Sequence, residues 1–193
     1  MAKIVAGVGT SHVPTIGAAS DNGKDRNDYF KPLFDGYDPA RKWIKKIKPD
    51  VVILVYNDHA SAFSVELINT FVLGVADGYA PADEGYGPRK VPYVHGHADF
   101  SSHISESLIF DEFDIAIANE MNVDHGLTVP LTVMYGKPTE WPCKVIPLCV
   151  NVIKYPQPTG NRCFNLGKAL KKAVESYPED LKVAILNQNH QID

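Results

Sequence analysis

Two things are missing from this 193-residue chain. It has no basic surface on the scale of a polyanion-binding site, and no apolar run approaching the roughly 20 residues that cross a bilayer. The net charge is −4 and the isoelectric point near 6.0, so nucleic-acid binding would require a local patch. The densest basic stretch, Arg41 to Lys48, reads instead as the solvated face of a helix. Met1-Ala2-Lys3 runs directly into a strand-like segment with no leader peptide, which predicts a cytoplasmic protein. Cysteine is scarce and unpatterned. Cys143, Cys149 and Cys163 are odd in number and lack CxxC spacing, which excludes a disulfide framework and a cysteine zinc site and leaves reduced core thiols. Internal repeats and low-complexity tracts are absent as well. With 45% hydrophobic and 22% charged residues, the composition is that of one soluble globular domain able to bury a core.

The strongest local signal is Val51–Ala60 (VVILVYNDHA). Its first six residues have the length and β-branching of a strand buried on both faces, and Asn57-Asp58-His59 would stand at the strand's carboxyl end, where open α/β sheets bind ligands. The trio has the inventory of a metal ligand with its supporting groups, and equally that of a loop closed by local side-chain bonds. Lys3–Gly9 reads as a first strand running into Thr10-Ser11-His12. Gly17 to Asp28 looks like an exposed loop, and a helix capped by Asp38 with Pro39 in its first turn leads to Ile47, completing a βαβ unit.

Phe63–Leu73 is ambiguous between helix and strand. The stretch from Ala80 to His97, rich in Gly and Pro, reads as a long loop packed over something, or as a surface loop. Asp99 would cap a helix with Phe100, Ile104 and Leu108 at fourfold spacing; His95, His97 and His103 in this region read as structural. Asp114–Ala118 predicts a short strand followed by Val123-Asp124-His125-Gly126, then a helix starting near Pro130. Lys144–Lys154 predicts a strand bulged or placed at an edge by Pro147. Phe164–Tyr177 is an amphipathic helix, and Lys182–Leu186 a last strand leading to Asn187-Gln188-Asn189-His190. The alternation predicts an α/β fold with a mostly parallel or mixed central sheet and helices on both faces.

Four of the seven histidines, His12, His59, His125 and His190, each follow a predicted strand or strand-loop. Parallel neighbouring strands would bring them to one sheet edge. Two imidazoles and one carboxylate leave open faces on a divalent iron, and further histidines suit proton transfer.

The motifs Thr10-Ser11-His12-Val13-Pro14, Val55-Tyr56-Asn57-Asp58-His59-Ala60, Pro81-Ala82-Asp83-Glu84-Gly85-Tyr86-Gly87-Pro88-Arg89, Asp111-Glu112-Phe113-Asp114, Val123-Asp124-His125-Gly126, Trp141-Pro142 and Glu175-Ser176-Tyr177-Pro178-Glu179-Asp180-Leu181 occur in one order. Together they resemble the class III extradiol ring-cleavage dioxygenases over residues 1–186. The likeness is greatest to the catalytic beta subunits of protocatechuate 4,5-dioxygenases, with gallate dioxygenases as near relatives. The resemblance implies that His12 and His59 are the two histidine ligands of a non-haem Fe(2+). It implies that His125 contacts bound oxygen or substrate, that His190 takes the catechol proton, and that Asn57 and Asp58 orient His59. It further implies a catecholic acid and O2 as substrates, a muconic semialdehyde product, and a small alpha subunit in a homo- or hetero-oligomer.

The chain departs from that family in two places. The family's base histidine follows a Thr-Gly-Gly-x-Ser-His turn, whereas Asn187-Gln188-Asn189-His190 has no glycine. The family's glutamate ligand lies well downstream of that histidine, and neither Glu84 nor Asp58 is a nominated replacement. The expectation is a single catalytic domain lacking the family's C-terminal part, with apolar surface exposed and activity dependent on the rest being supplied. The competing readings are a catalytically inactive relative serving as a subunit-interaction or binding module, and a zinc hydrolase with a third histidine or carboxylate ligand.

Overall fold

A computed structural model of the chain describes residues 1–188; His190 lies outside the described residues. The elements, in order, are β1 (Lys3–Thr10), α1 (Pro14–Asp21), α2 (Lys31–Ile47), β2 (Val51–Tyr56), β3 (Phe71–Gly74), β4 (Gly78–Tyr79), β5 (Val94–His95), α3 (Ala98–Phe110), β6 (Ala116–Ala118), α4 (His125–Tyr135), β7 (Lys144–Val150), α5 (Gly160–Ser176) and β8 (Lys182–Gln188). Six strands form one sheet in the order β1-β8-β2-β7-β3-β6. Pairing is parallel throughout except between β3 and β7. The expected α/β domain with a mostly parallel sheet is therefore present.

β2 sits between β8 and β7 and alternates its side chains between two cores. Val52 and Leu54 pack with Phe34 and Ile44 of α2 and with Leu127 and Leu131 of α4. Val51 and Ile53 pack on the other face with Phe100, Ile104 and Leu108 of α3 and with Leu170 and Val174 of α5. Each such side chain contributes about 1.5–3 kcal/mol by leaving water. That double burial explains why the strand lacks a polar face.

Several elements differ from the sequence expectation. Pro14–Asp21 is helical, with Pro14 in the first turn. Its small residues had suggested a loop, but they serve close packing: a Cβ on Gly17 would lie 2.7 Å from Val129 Cγ2 of α4. α2 begins at Lys31 and carries both Asp38 and Pro39 inside, so Asp38 does not cap it; its carboxylate pairs instead with Arg26 and Arg41. At the start of α3, His97 occupies the cap position and Asp99 the first turn. α4 starts a full turn before Pro130, where Asp124 caps it. α5 also starts early, at Gly160, capped by Thr159, whose hydroxyl accepts from Arg162 N–H.

β7 is interior rather than an edge strand. Pro147 is accommodated because the ladder to β3 stops at Leu148 while the one to β2 continues as Leu54↔Pro147. Only Phe71–Gly74 of the ambiguous 63–73 stretch is a strand. The Gly- and Pro-rich segment is a loop closed at its base by the β4–β5 pair. No helix among the described residues is long and apolar enough to cross a membrane.

Candidate metal centre

β1, β2, β7 and β8 run in one direction, so Thr10, Tyr56, Val150 and Gln188 end at the same sheet edge. His12 and His59 each follow such an end by two or three residues. His125 arrives by another route. β3 is antiparallel to β7 and β6 is parallel to β3, so the strand preceding His125 ends at the opposite edge. The chain then returns along the loop after β4, through a Pro81↔Val123 bridge with Ala82 N–H donating to Val123 O and Val123 N–H to Ala80 O, both at 2.9 Å. His125 is thus delivered by the amino end of α4 and not by a strand end.

The three rings meet. Centroids of His59 and His125 are 4.0 Å apart, those of His12 and His59 5.2 Å, and those of His12 and His125 5.9 Å. One potential ligand nitrogen from each of the three lies within 4.8 Å of the others. The cluster floors an open cleft of about 780 Å³, walled on the apolar side by Ile16 and Leu33 and bearing Tyr37, whose hydroxyl accepts from Ser11 N–H at 3.0 Å.

Carboxylates stand behind two of the rings. Asp124, 1% exposed, accepts from His59 N–H at 2.6 Å and from His59 Nδ1 at 2.9 Å through Oδ2. Its Oδ1 accepts from Gly126 N–H at 2.8 Å. Glu84 accepts from His125 N–H at 3.0 Å and makes a shorter contact to His125 Nδ1. On the far side of His59, the Asn57 amide donates to Nε2 at 3.1 Å, and that amide is itself oriented by Gln188 from β8. This network assigns the Nδ1–H tautomer to His59, with the Nε2 lone pair accepting from Asn57.

Of the residues expected to orient His59, Asn57 touches the ring. Asp58 turns to the following loop and accepts from the N–H groups of Ser61, Ala62 and Phe63. Burial pushes the Asp58 carboxyl up, and these backbone donors oppose the rise. Asp124 is the carboxylate against His59, and the sequence expectation did not single it out. Its signal was an acid at the N-cap position before an apolar helix, next to a histidine.

The donor set fits a divalent transition metal. Imidazoles backed by carboxylates through Nδ1–H are a recurring way of fixing a ligand's orientation and raising its basicity. A cation at the cluster would take the His59 nitrogen that Asn57 now holds. A third histidine is what the hydrolase reading required, and donors alone do not distinguish iron from zinc.

Comparison with known proteins adds the family. Residues 6–190 match the family described as the catalytic LigB subunit of aromatic ring-opening dioxygenase. A gallate dioxygenase from Pseudomonas putida is 46% identical over 114 residues, 58% of this chain and 34% of the relative. A 2,3-dihydroxyphenylpropionate/2,3-dihydroxicinnamic acid 1,2-dioxygenase 2, also from Pseudomonas putida, is 31% identical over 162 residues, 83% of this chain and 48% of the relative. A 2,3-dihydroxyphenylpropionate/2,3-dihydroxicinnamic acid 1,2-dioxygenase from Photorhabdus laumondii is 28% identical over 178 residues, 92% of this chain and 52% of the relative. The chain spans between about a third and about half the length of these curated relatives.

Proposed function

The chain belongs to the family of catalytic LigB subunits of aromatic ring-opening dioxygenases, and from that premise we propose that it works in extradiol cleavage of a catecholic acid of the protocatechuate or gallate type with O2. The observation that carries the reading is the convergence of His12, His59 and His125, with their potential ligand nitrogens within 4.8 Å of one another, in an open cleft at the sheet edge.

In this reading His12 and His59 hold an Fe(2+), which supplies a chelation site for the diol and a route for electrons to oxygen. The chain's own residues do the rest. Asp124 keeps the His59 ring turned and its Nδ1 protonated, and Asn57, oriented by Gln188, marks the position of Nε2. His125, its ring centroid 4.0 Å from that of His59, offers a nitrogen to the bound diol or oxygen, and His190 is the proposed acceptor of the diol proton. Ile16 and Leu33 give the aromatic ring an apolar wall that limits water. A cytoplasmic location and a small alpha subunit in a larger assembly belong to the same proposal.

The test is anaerobic titration of the purified chain with Fe(2+), followed by oxygen uptake with gallate, protocatechuate and 2,3-dihydroxyphenylpropionate. Stoichiometric iron, uptake with one of these acids and a ring-opened product are expected, all lost in His59→Ala. A chain that binds no iron and consumes no oxygen would instead fit a binding or subunit-interaction module.

A further inference from the structure

The loop between β4 and β5 carries to the centre a carboxylate to which the proposed chemistry has so far given no task. Glu84 contacts His125 twice, at the backbone N–H (3.0 Å) and at ring Nδ1. Asp124 makes the same pair of contacts to His59. Two neighbouring imidazoles, tilted by 32° with centroids 4.0 Å apart, are therefore each gripped through main chain and ring by a separate carboxylate, one from the head of α4 and one from a loop.

That loop is fixed on both sides of Glu84. Asp83 Oδ1 accepts from the N–H groups of Gly85 and Gly87, each at 2.9 Å. The bridge to Val123 anchors the loop two residues before His125, and Arg89 ties its far side to Asp21 of α1 with bonds of 2.7 and 3.0 Å. An exposed glutamate on an unsupported loop would visit many rotamers. Here the backbone on either side is held, so the carboxylate is presented to His125 at little further entropic cost.

We propose that Glu84 is the positioning residue of His125: its carboxylate fixes the Nδ1–H tautomer and so leaves the Nε2 lone pair for the cleft shared with His12 and His59. The catalytic consequence rests on the dioxygenase reading; the tautomer does not. A neutral imidazole has one donor and one acceptor, and a carboxylate can only accept, so it selects the proton on the nitrogen it faces. The proton-free nitrogen then accepts from a substrate hydroxyl instead of donating to it.

Glu84→Gln tests this at nearly constant shape. With its carbonyl on the His125 N–H, the amide sets an NH2 against Nδ1 and favours the Nε2–H form. Long-range 15N–1H correlation spectra of the histidine-labelled chain are expected to show His125 as Nδ1–H in the wild type and Nε2–H in Glu84→Gln, with His59 unchanged. In Glu84→Ala, which keeps neither contact, both tautomers of His125 are expected. In the iron-loaded chain turning over gallate, kcat should fall on the order of 10–100-fold in Glu84→Gln, with KM within about threefold of wild type. A His125 tautomer identical in wild type, Glu84→Gln and Glu84→Ala would overturn the proposal. Should Glu84→Gln not fold, an unmixed Nδ1–H tautomer in Glu84→Ala would overturn it alone. If the wild type consumes no oxygen, the dioxygenase reading fails while the spectra still decide the role of Glu84.

Discussion

Asp124 bonds to His59 at two points, 2.6 Å from its backbone nitrogen and 2.9 Å from its ring Nδ1, and with its other oxygen caps α4 through Gly126 N–H at 2.8 Å. One buried carboxylate thus joins the end of β2 to the start of α4 and sets the His59 tautomer in the same act. Asp124→Asn keeps the size and a capping oxygen but offers one acceptor fewer. It is expected to weaken divalent-metal binding on the order of 10–100-fold, read with Co(2+) as a spectroscopic probe. Asp124→Ala should in addition lower stability by about 1–3 kcal/mol, because buried donors lose their partner. Unchanged metal affinity in Asp124→Asn would remove the residue from this role.

How much of this could be read in advance depended on whether the information was local. β2 was legible because a strand covered by helices on both sides of the sheet must be apolar on both faces, and Phe100, Ile104 and Leu108 because helical periodicity is written in the chain itself. α1 was not, since Gly17 and Ala19 are small in order to pack against α4, and small residues in a row look like a loop. The histidines were noticed as strand-end residues, and the convergence of His12 with His59 follows from their parallel strands. The placement of His125 follows from nothing local, because β6 runs the other way and the return path depends on the bridge to Val123. Asp124 and Glu84 were missed as partners for the same reason: His59 and Asp124 are 65 positions apart, and Glu84 and His125 41.

Gly126 stands where helix, strand end and ring come closest. A Cβ there would lie 2.7 Å from Asn57 O, 2.9 Å from Asp124 Oδ1 and 3.1 Å from His59 Cε1. On an open helix, alanine in place of glycine would stabilise by up to about 1 kcal/mol. Here the first contact is backbone and the second a carboxylate held by three donors, so neither yields easily. Gly126→Ala is expected to lose about 1–3 kcal/mol from overpacking, measured by urea denaturation, and to bind metal more weakly. A variant more stable than wild type would refute the close-packing argument.

Arg89 links the β4–β5 loop to α1 by a two-point contact with Asp21 and a bond to Thr128 Oγ1 at 3.3 Å. Its side chain is 12% exposed and that of Asp21 29%, so the pair is screened less than the exposed pairs along α2. A double-mutant cycle with Arg89→Ala and Asp21→Ala should return a coupling of about 1–3 kcal/mol. Arg89→Ala should also speed cleavage at Lys90 by a lysine-specific protease, since that loop would lose its outer tether. A coupling near zero with unchanged proteolysis would mean that the β4–β5 base alone holds the loop.

The thiols report on the two cores. Cys143 and Cys149 are buried and Cys163 is half-buried; burial pushes the Cys143 thiol up to about 11 and that of Cys149 well above its ordinary range. At pH 8 about one Cys143 in a thousand would be a thiolate, so a disulfide reagent should find one fast equivalent in the native chain, Cys163, and two more only on unfolding. Cys163→Ser should abolish the fast phase. The same shift bears on stability with a definite sign. Below pH 9 the thiol is protonated in both states and its effect is constant. Above pH 9 the unfolded chain releases a proton that the folded one retains, so stability falls by about 1.4 kcal/mol per pH unit on account of Cys143 until the folded group titrates near 11. Cys143→Ala should flatten that alkaline slope by one proton's worth, measured as the pH dependence of the urea midpoint between pH 8.5 and 10.5. An unchanged slope would mean that Cys143 titrates alike in the folded and unfolded chains, and that its burial against Tyr135 is not maintained in solution.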